Sequence, residues 1–244
     1  MDIDNVLKQS LKKLGIDFSQ NQIRIIKEYL DMVHEFNKEA NLTGTKKKED
    51  ILVRHFLDSI SILKFKEDLF DRKADIRKIL DVGTGAGLPG MLLSIFLKDK
   101  LFYLVDKKEK KIEFLKLLAD RLKIENVRII RGRAEELARE ESYREKFDIV
   151  LARAVTKFNI LCELLIPFCR INGKIIFYKS LKVFDELKES RKVILKLGGR
   201  EESLREVKVP YLNEFRAFLV IKKNKKSPLI YPRKFKKIKC SPLQ

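Results

Sequence analysis

Hydrophobic positions change their spacing partway along this chain. Over residues 3 to 14 and 20 to 38 they recur every three or four places, with Ile23, Ile26, Leu30, Val33 and Phe36 on one helical face. Two amphipathic helices are predicted there, each with an apolar packing face. A polar turn runs from Asn37 to Thr45, a third helix is expected over roughly residues 49 to 64, and a charged link follows from Lys66 to Asp75. Beyond it, short apolar runs alternate with helical periods. Strands are expected near 77–82, 101–106, 127–131, 147–152 and 172–179, and helices near 89–98, 108–123, 157–169 and 182–195. That rhythm predicts a mostly parallel sheet covered on both faces. Two further strands, near 203–209 and 214–222, are joined by Pro210-Tyr211-Leu212-Asn213, too short for a parallel crossover, so they form a hairpin. The expected organisation is a helical cap over residues 1–70, an α/β domain over 71–222 and a tail over 223–244.

Within that pattern one junction carries chemistry. Ile79-Leu80 runs into Asp81-Val82-Gly83-Thr84-Gly85-Ala86-Gly87-Leu88-Pro89-Gly90, and a second apolar run spans Met91 to Leu97. A strand, a glycine turn and a helix start give close backbone approach and free N–H groups, the makings of a nucleotide-like cofactor site. Pro89 suits the first helical turn. Ligands of open α/β sheets lie past the carboxyl ends of the strands. The positions to examine are therefore Asp81 to Pro89, Asp106 with Lys107 and Lys108, Gly132 to Glu135, Arg153 and Lys179.

Two cofactors fit the glycines. Gly85-x-Gly87-x-x-Gly90 with Asp106 beyond it matches a dinucleotide pattern. The wider Asp81-x-Gly83-x-Gly85-x-Gly87, however, resembles the first motif of class I S-adenosylmethionine (SAM) methyltransferases. In that resemblance the turn receives the methionine part of the cofactor, and an acid ending the second strand takes the ribose hydroxyls. Asp106 closes Leu101-Phe102-Tyr103-Leu104-Val105 and stands where that acid belongs. A carboxylate is a double acceptor, suited to two hydroxyls. Five parallel strands closed by an antiparallel hairpin are also the Rossmann-like seven-stranded layout of those enzymes, which the dinucleotide fold lacks.

Charge then narrows the partner. The 244 residues carry a formal net charge of +19, and from Phe215 to Gln244 there are ten Lys or Arg and no acid. The clusters Lys222-Lys223-Asn224-Lys225-Lys226 and Arg233-Lys234-Phe235-Lys236-Lys237-Ile238-Lys239 suit a polyanion bound through counterion release, or a solvated tail with no partner. Beside a methyltransferase core, nucleic acid is the favoured substrate class. A small-molecule methyltransferase would not need such charge, and an RNA-binding protein without activity would not need intact glycines and Asp106. No apolar run is long enough for a bilayer, and Met1-Asp2-Ile3-Asp4 lacks the features of a signal peptide. Cys162, Cys169 and Cys240 have no metal-like spacing with the two histidines, so no metal site is expected, and the thiols are expected to be buried in a cytoplasmic protein.

The motifs also follow a family order. Asn41-Leu42-Thr43, Arg54-His55-x-x-Asp58-Ser59, the glycine turn, Arg133-Ala134-Glu135 and Ala152-Arg153-Ala154 occur in sequence. Over roughly residues 1 to 222 the chain resembles the glucose-inhibited division protein B family, the bacterial 16S ribosomal RNA guanine-N7 methyltransferases. The resemblance implies SAM on Asp81, Gly83, Gly85, Gly87 and Leu88, with Asp106, Lys107 and Lys108 beside it and Ala134 and Glu135 bordering the adenine. It implies Arg153 and Lys179 beside the cofactor and target base, and Asn41, Arg54, His55 and Asp58 as substrate-positioning groups. From the residues alone, Asp58 could simply hold His55 three places earlier on one helix face. Lys179-Ser180 departs from the family's Lys-Gly, which leaves the local turn open. The implied partner is 16S RNA or the small subunit, met by a monomer. Guanine N7 has a free lone pair, so no general base is expected, and the two cations would position the base or a phosphate. N7 lies in the deep, narrow groove of A-form RNA, so the target must be splayed out or presented by a particle.

Overall fold

The computed structural model describes residues 2–40, 42–70, 76–153 and 156–244. Its sheet has seven strands: β1 (Lys78–Val82), β2 (Leu101–Asp106), β3 (Val127–Arg131), β4 (Phe147–Ala152), β5 (Cys169–Lys179), β6 (Gly199–Val207) and β7 (Arg216–Lys223). They lie in the order β3-β2-β1-β4-β5-β7-β6. β1 to β5 are parallel, and β7 enters antiparallel between β5 and β6. The expected α/β fold with a terminal hairpin is therefore observed. β1 and β4 sit at the centre and are buried on both faces, which is why they read as continuous apolar runs. The order reverses at β1, so the carboxyl ends of β1, β2 and β4 open one crevice.

Before the sheet come α1 (Ile3–Leu14) and α2 (Gln20–Ala40). Asp2 caps α1 by accepting from the amides of Asp4 and Asn5, and Gly15 ends it in a left-handed conformation. The expected third helix is one helical run of changing pitch: α3 (Lys48–Ile51), a π turn (Leu52–Leu57), α4 (Asp58–Ile60), a 3-10 turn (Ser61–Phe65) and α5 (Lys66–Leu69). The cap does not keep a core of its own. Leu7, Leu11, Tyr29, Leu30 and Phe56 join Phe102, Phe114 and Leu115 in one cluster, and each such fully buried apolar side chain contributes about 1.5–3 kcal/mol.

Around the sheet lie α6 (Gly90–Ser94), α7 (Glu109–Arg121), α8 (Ala134–Leu137), α9 (Phe158–Leu165) and α10 (Val183–Lys196). α6 is shorter than expected, and Pro89 precedes it as the cap residue rather than standing in its first turn. The segment after β7 is anchored across the molecule. Arg144 donates to the carbonyls of Ser227 and Tyr231 at 2.8 Å each, and the Glu163 carboxylate, fully buried on α9, takes Arg233 through both oxygens at 2.8 and 2.7 Å. It ends in α11 (Phe235–Cys240), with Ile238 in the second core cluster. Cys162 and Cys169 are buried as expected, but Cys240 is exposed on α11. Burial pushes the Cys169 thiol up to about 12 and the Cys162 thiol higher still. Among the described residues no helix is long and apolar enough to cross a membrane.

Candidate functional site

The glycine turn is a backbone cradle braced from below. Gly83, Gly85 and Gly87 take φ of +74°, +61° and +89°. At Gly87 a Cβ would stand 2.5 Å from the Tyr29 hydroxyl and 2.8 Å from Met91 Cβ, so only glycine fits. At Gly83 a Cβ would meet nothing within 4 Å and would project into open space. The turn is thus crowded beneath and clear above, which fits a ligand laid on its backbone. Asp81 does not face that space freely. Its Oδ2 accepts the Thr84 hydroxyl at 2.6 Å and the Gly90 amide at 2.8 Å, and burial raises its carboxyl to about 6. Asp81 therefore ties the two ends of the turn together. Tyr29 does the same from the cap: wholly buried, it donates to the Ala86 carbonyl at 2.7 Å and lies edge-on to Phe56. Leu88 is buried behind the turn.

Asp106, at the end of β2, accepts from the Gly85 amide at 3.1 Å and the Lys108 amide at 3.0 Å. One lone pair on each oxygen remains for a pair of hydroxyls. Lys108 thus enters through its backbone, and the side chains of Lys107 and Lys108 are exposed. The cation nearest Asp106 is Lys111, at 3.6 Å, which the sequence pattern did not single out. Its signal was helical spacing on α7, one turn past Lys107. Ala134 and Glu135 begin α8, where the buried Glu135 pairs with Arg133 at 3.2 Å.

A second part of the cleft, a cavity of about 570 Å³, lies past β4 and β5. Arg153 is held on several sides. Its guanidinium donates to Asp58 Oδ2 at 3.1 Å, to the Arg54 carbonyl at 3.2 Å and to His55 Nδ1 at 3.0 Å. An arginine can only donate, so His55 Nδ1 accepts and Nε2 carries the proton, donating to Thr45 Oγ1 at 2.8 Å. Burial and the Arg153 and Arg54 charges push the imidazole down to about 4, so it is neutral. Asp58 makes no bond to His55. It instead joins Arg153 to Arg216 on β7, whose Nε lies 3.1 Å from Oδ1. Arg54 pairs with the exposed Glu214. The π turn over Leu52–Leu57 carries Arg54 and His55, and such a turn shifts the helical faces that regular spacing predicts.

Lys179 lies on the same cavity, nearly buried. Its ammonium bonds Glu186 at 2.7 Å and stands 3.9 Å from the centre of the Phe158 ring, while burial lowers its pKa. The turn after it, at Ser180, starts α10 by accepting from the Val183 amide. Tyr178 fastens this edge to the cap by donating to the Ser59 carbonyl at 2.9 Å. Arg153, Lys179, Arg54, His55 and Asp58 are thus brought to one cavity, and Asp81, Asp106 and the glycines to the neighbouring turn. Asn41 and Ala154 lie outside the described residues. Arg216, Tyr29 and Lys111 are the neighbours of these groups that sequence reasoning missed. Among the described residues no group of His, Cys, Asp or Glu could hold a metal ion.

Comparison with known proteins gives the chain a family. The family model GidB, rRNA small subunit methyltransferase G, matches residues 22–214. A Clostridium tetani protein named ribosomal RNA small subunit methyltransferase G is 37% identical over 240 residues, covering 98% of both chains. One of the same name from Lachnoclostridium phytofermentans is 39% identical over 225 residues, covering 92% of this chain and 91% of its own. Among solved structures, a mutant of the 16S rRNA (adenine(1408)-N(1))-methyltransferase from Catenulisporales acidiphilia superposes with a TM-score of 0.51. It is 12% identical, covers 62% of this chain and 87% of that one, and speaks to the fold alone.

Proposed function

The chain belongs to the GidB family, rRNA small subunit methyltransferase G, and on that premise we propose that it transfers a methyl group from SAM to guanine N7 of 16S ribosomal RNA. The cofactor reading rests on the turn. Gly83, Gly85 and Gly87 would carry its methionine part, the free lone pairs of Asp106 its ribose hydroxyls, and Ala134 with Glu135 the side of its adenine. When bound, SAM supplies an electrophilic methyl on a sulfonium. Everything else is positioning by this chain.

The observation that carries the N7 assignment is the state of the groups around Arg153. The one lone pair of His55 is taken by Arg153, and its proton is given to Thr45. Each oxygen of Asp58 accepts from an arginine, and Glu186 is paired with Lys179 through Oε2. Among the described residues of this cavity the imidazole has no free lone pair and each carboxylate is paired with a cation, so no unengaged base faces it. A hydroxyl or an amide nitrogen needs such a group, and N7 does not, because its lone pair is already free. Catalysis then comes from alignment of the acceptor, an orientation effect. Arg153, held by Asp58, His55 and two carbonyls, has the rigidity to position a base or its phosphate. Its charge does not favour the cationic product, so its service is placement. The chain's +19 charge supplies attraction to RNA.

The test is labelled SAM with small-subunit RNA and with small subunits from a strain lacking the modification, followed by mapping of the labelled base. Label at one guanine N7 is expected. Arg153→Ala should lower kcat/KM by about 100-fold or more, as loss of a positioning contact does, with SAM affinity little changed. Undiminished methylation by that variant would remove Arg153 from the site, and label at a hydroxyl or exocyclic amine would overturn the N7 reading.

A further inference from the structure

The anchored C-terminal segment has features that its fold alone does not require. From Lys223 to Gln244 it carries eight Lys or Arg and no acid. Two of these cations serve as fasteners or lie inside. Lys223 is fully buried, bonded to the carbonyls of Ile166 and Leu197 at 3.2 Å each and paired with Glu145 at 3.4 Å, and Arg233 is bound to buried Glu163. Lys234, Lys236, Lys237 and Lys239 are different. All four are exposed, they crowd onto α11 and its cap, and among the described residues none has an ion-pair partner. Some exposed cations elsewhere have one, as Lys38 has Glu35, Arg131 has Glu109 and Arg121 has Glu28, so what sets these four apart is their crowding on one short element. Four like charges on a two-turn element repel one another, and a bound polyanion would offset that repulsion.

The position of the segment matters as much as its charge. Phe235 lies 5.9 Å from the ammonium of Lys107, the residue after Asp106. At the far end, the Leu243 carbonyl accepts from Asn159 at 2.9 Å. Pro242 to Gln244 line a cavity of about 560 Å³ with Lys157 and Glu186, and those two residues also line the acceptor cavity. The basic element thus runs from the Lys107 side chain to the rim of the acceptor site, packing on α9.

We propose that this C-terminal strap is an RNA-docking surface, on which Lys234, Lys236, Lys237 and Lys239 hold the phosphate backbone of the strand whose base enters the acceptor cavity. The proposal rests on the RNA methyltransferase reading. Anchors at buried Glu163 and half-buried Glu145 hold the strap in register, so its lysines meet the phosphates already ordered.

The test replaces the four lysines together (Lys234→Gln, Lys236→Gln, Lys237→Gln, Lys239→Gln) in the full chain. A control loses as many charges elsewhere, at exposed Lys12, Lys98, Lys116 and Lys123. Binding to unmodified 16S RNA is titrated from about 50 to 200 mM salt, beside SAM affinity and thermal unfolding. The strap variant should lower the slope of log K against log salt by about 3, and weaken RNA binding tenfold or more, for four lost phosphate contacts. SAM affinity and melting temperature should stay as in the parent. An unchanged slope, or an equal loss in the control, would overturn the proposal, because the strap would then add net charge and no docking. If the parent protein labels no guanine, the methylation reading fails on its own, and the ratio of RNA affinities still decides the strap.

Discussion

The two parts of the cleft are built by opposite means. The cofactor turn is backbone: three glycines at positive φ, tied by Asp81 and propped by Tyr29. The acceptor cavity is side chain: Arg153 and Arg216 share Asp58, His55 fills the gap between Arg153 and Thr45, and Lys179 leans on Phe158. A backbone cradle tolerates almost no change in the residues that shape it, but it recognises whatever fits its amides. A side-chain cage tolerates change in shape and depends on charge. Damage to the first should therefore appear as lost stability or cofactor affinity, and damage to the second as lost methyl transfer with the cofactor still bound.

The largest expected effect lies under the turn. Gly87→Ala puts a Cβ 2.5 Å from the Tyr29 hydroxyl at a φ of +89°. Overpacking and backbone strain together should cost about 3–5 kcal/mol, about 6–20 °C in melting temperature for a chain of this size. Gly83→Ala has space, so it should cost only about 1–2 kcal/mol of stability while its Cβ blocks the cradle and weakens SAM binding. Equal melting temperatures for the two variants would mean that the turn is not crowded on one side only. The next effect lies in the cage. Asp58→Ala removes the one carboxylate paired with Arg153 among the described residues and leaves Arg216 with Glu214 alone; both arginines are largely, not wholly, buried, and the change should cost about 2–3 kcal/mol. It should abolish most methyl transfer by loosening Arg153 while leaving SAM affinity within about threefold, since the hydrogen bonds of the Asp58 carboxylate go to Arg153 and Arg216 and none to the turn among the described residues. A matching loss of SAM binding would show that the two parts are one unit, and the comparison would fall.

This difference in construction also decided what the sequence could disclose. The turn is local, so a strand, three glycines and a helix start stand side by side in the chain, and Asp106 follows at the end of the next strand. The cage is assembled across distance. Arg216 meets Asp58 over 158 residues, and Arg153 meets it over 95. Regular helical spacing put Asp58 beneath His55, and the π turn over Leu52–Leu57 re-aimed both. The tail was legible as charge only, because its anchors are tertiary. One signal was available: Glu163 is the lone charge in Ile160-Leu161-Cys162-Glu163-Leu164-Leu165, an otherwise apolar run, and a buried carboxylate requires a cation from somewhere. Tyr29 left a fainter mark, a hydroxyl set on the apolar face of α2.

The smallest effect is the most discriminating, because it reads the protonation state on which the acceptor chemistry depends. His55 is held neutral, with its pKa near 4 against 6.5 for the free side chain. The unfolded chain therefore takes up a proton below pH 6.5 that the folded chain refuses until about pH 4, and stability is lost as pH falls through that window. Asp81 has the opposite sign. Its pKa, raised from 3.8 to about 6, makes the folded chain the better proton binder, so its contribution is full below 3.8 and lost as pH rises through 6. Between about pH 4 and 6 the two slopes oppose each other, one in the cage and one under the turn. His55→Gln removes the first and leaves the second. Relative to the parent, the variant should gain stability on acidification from pH 6.5 to 4.5, by at most about 1.4 kcal/mol per pH unit and less to the extent that solvent screens the imidazole. Above pH 7 only the loss of its two hydrogen bonds should remain. Denaturant unfolding of both proteins at four pH values between 4.5 and 7.5 measures this directly. A constant difference across the series would mean that His55 takes up a proton in the folded protein much as it does in the unfolded chain. Its Nδ1 could not then be the acceptor for Arg153, and a cavity with a titrating imidazole would have the proton-removing group that methylation at N7 does without.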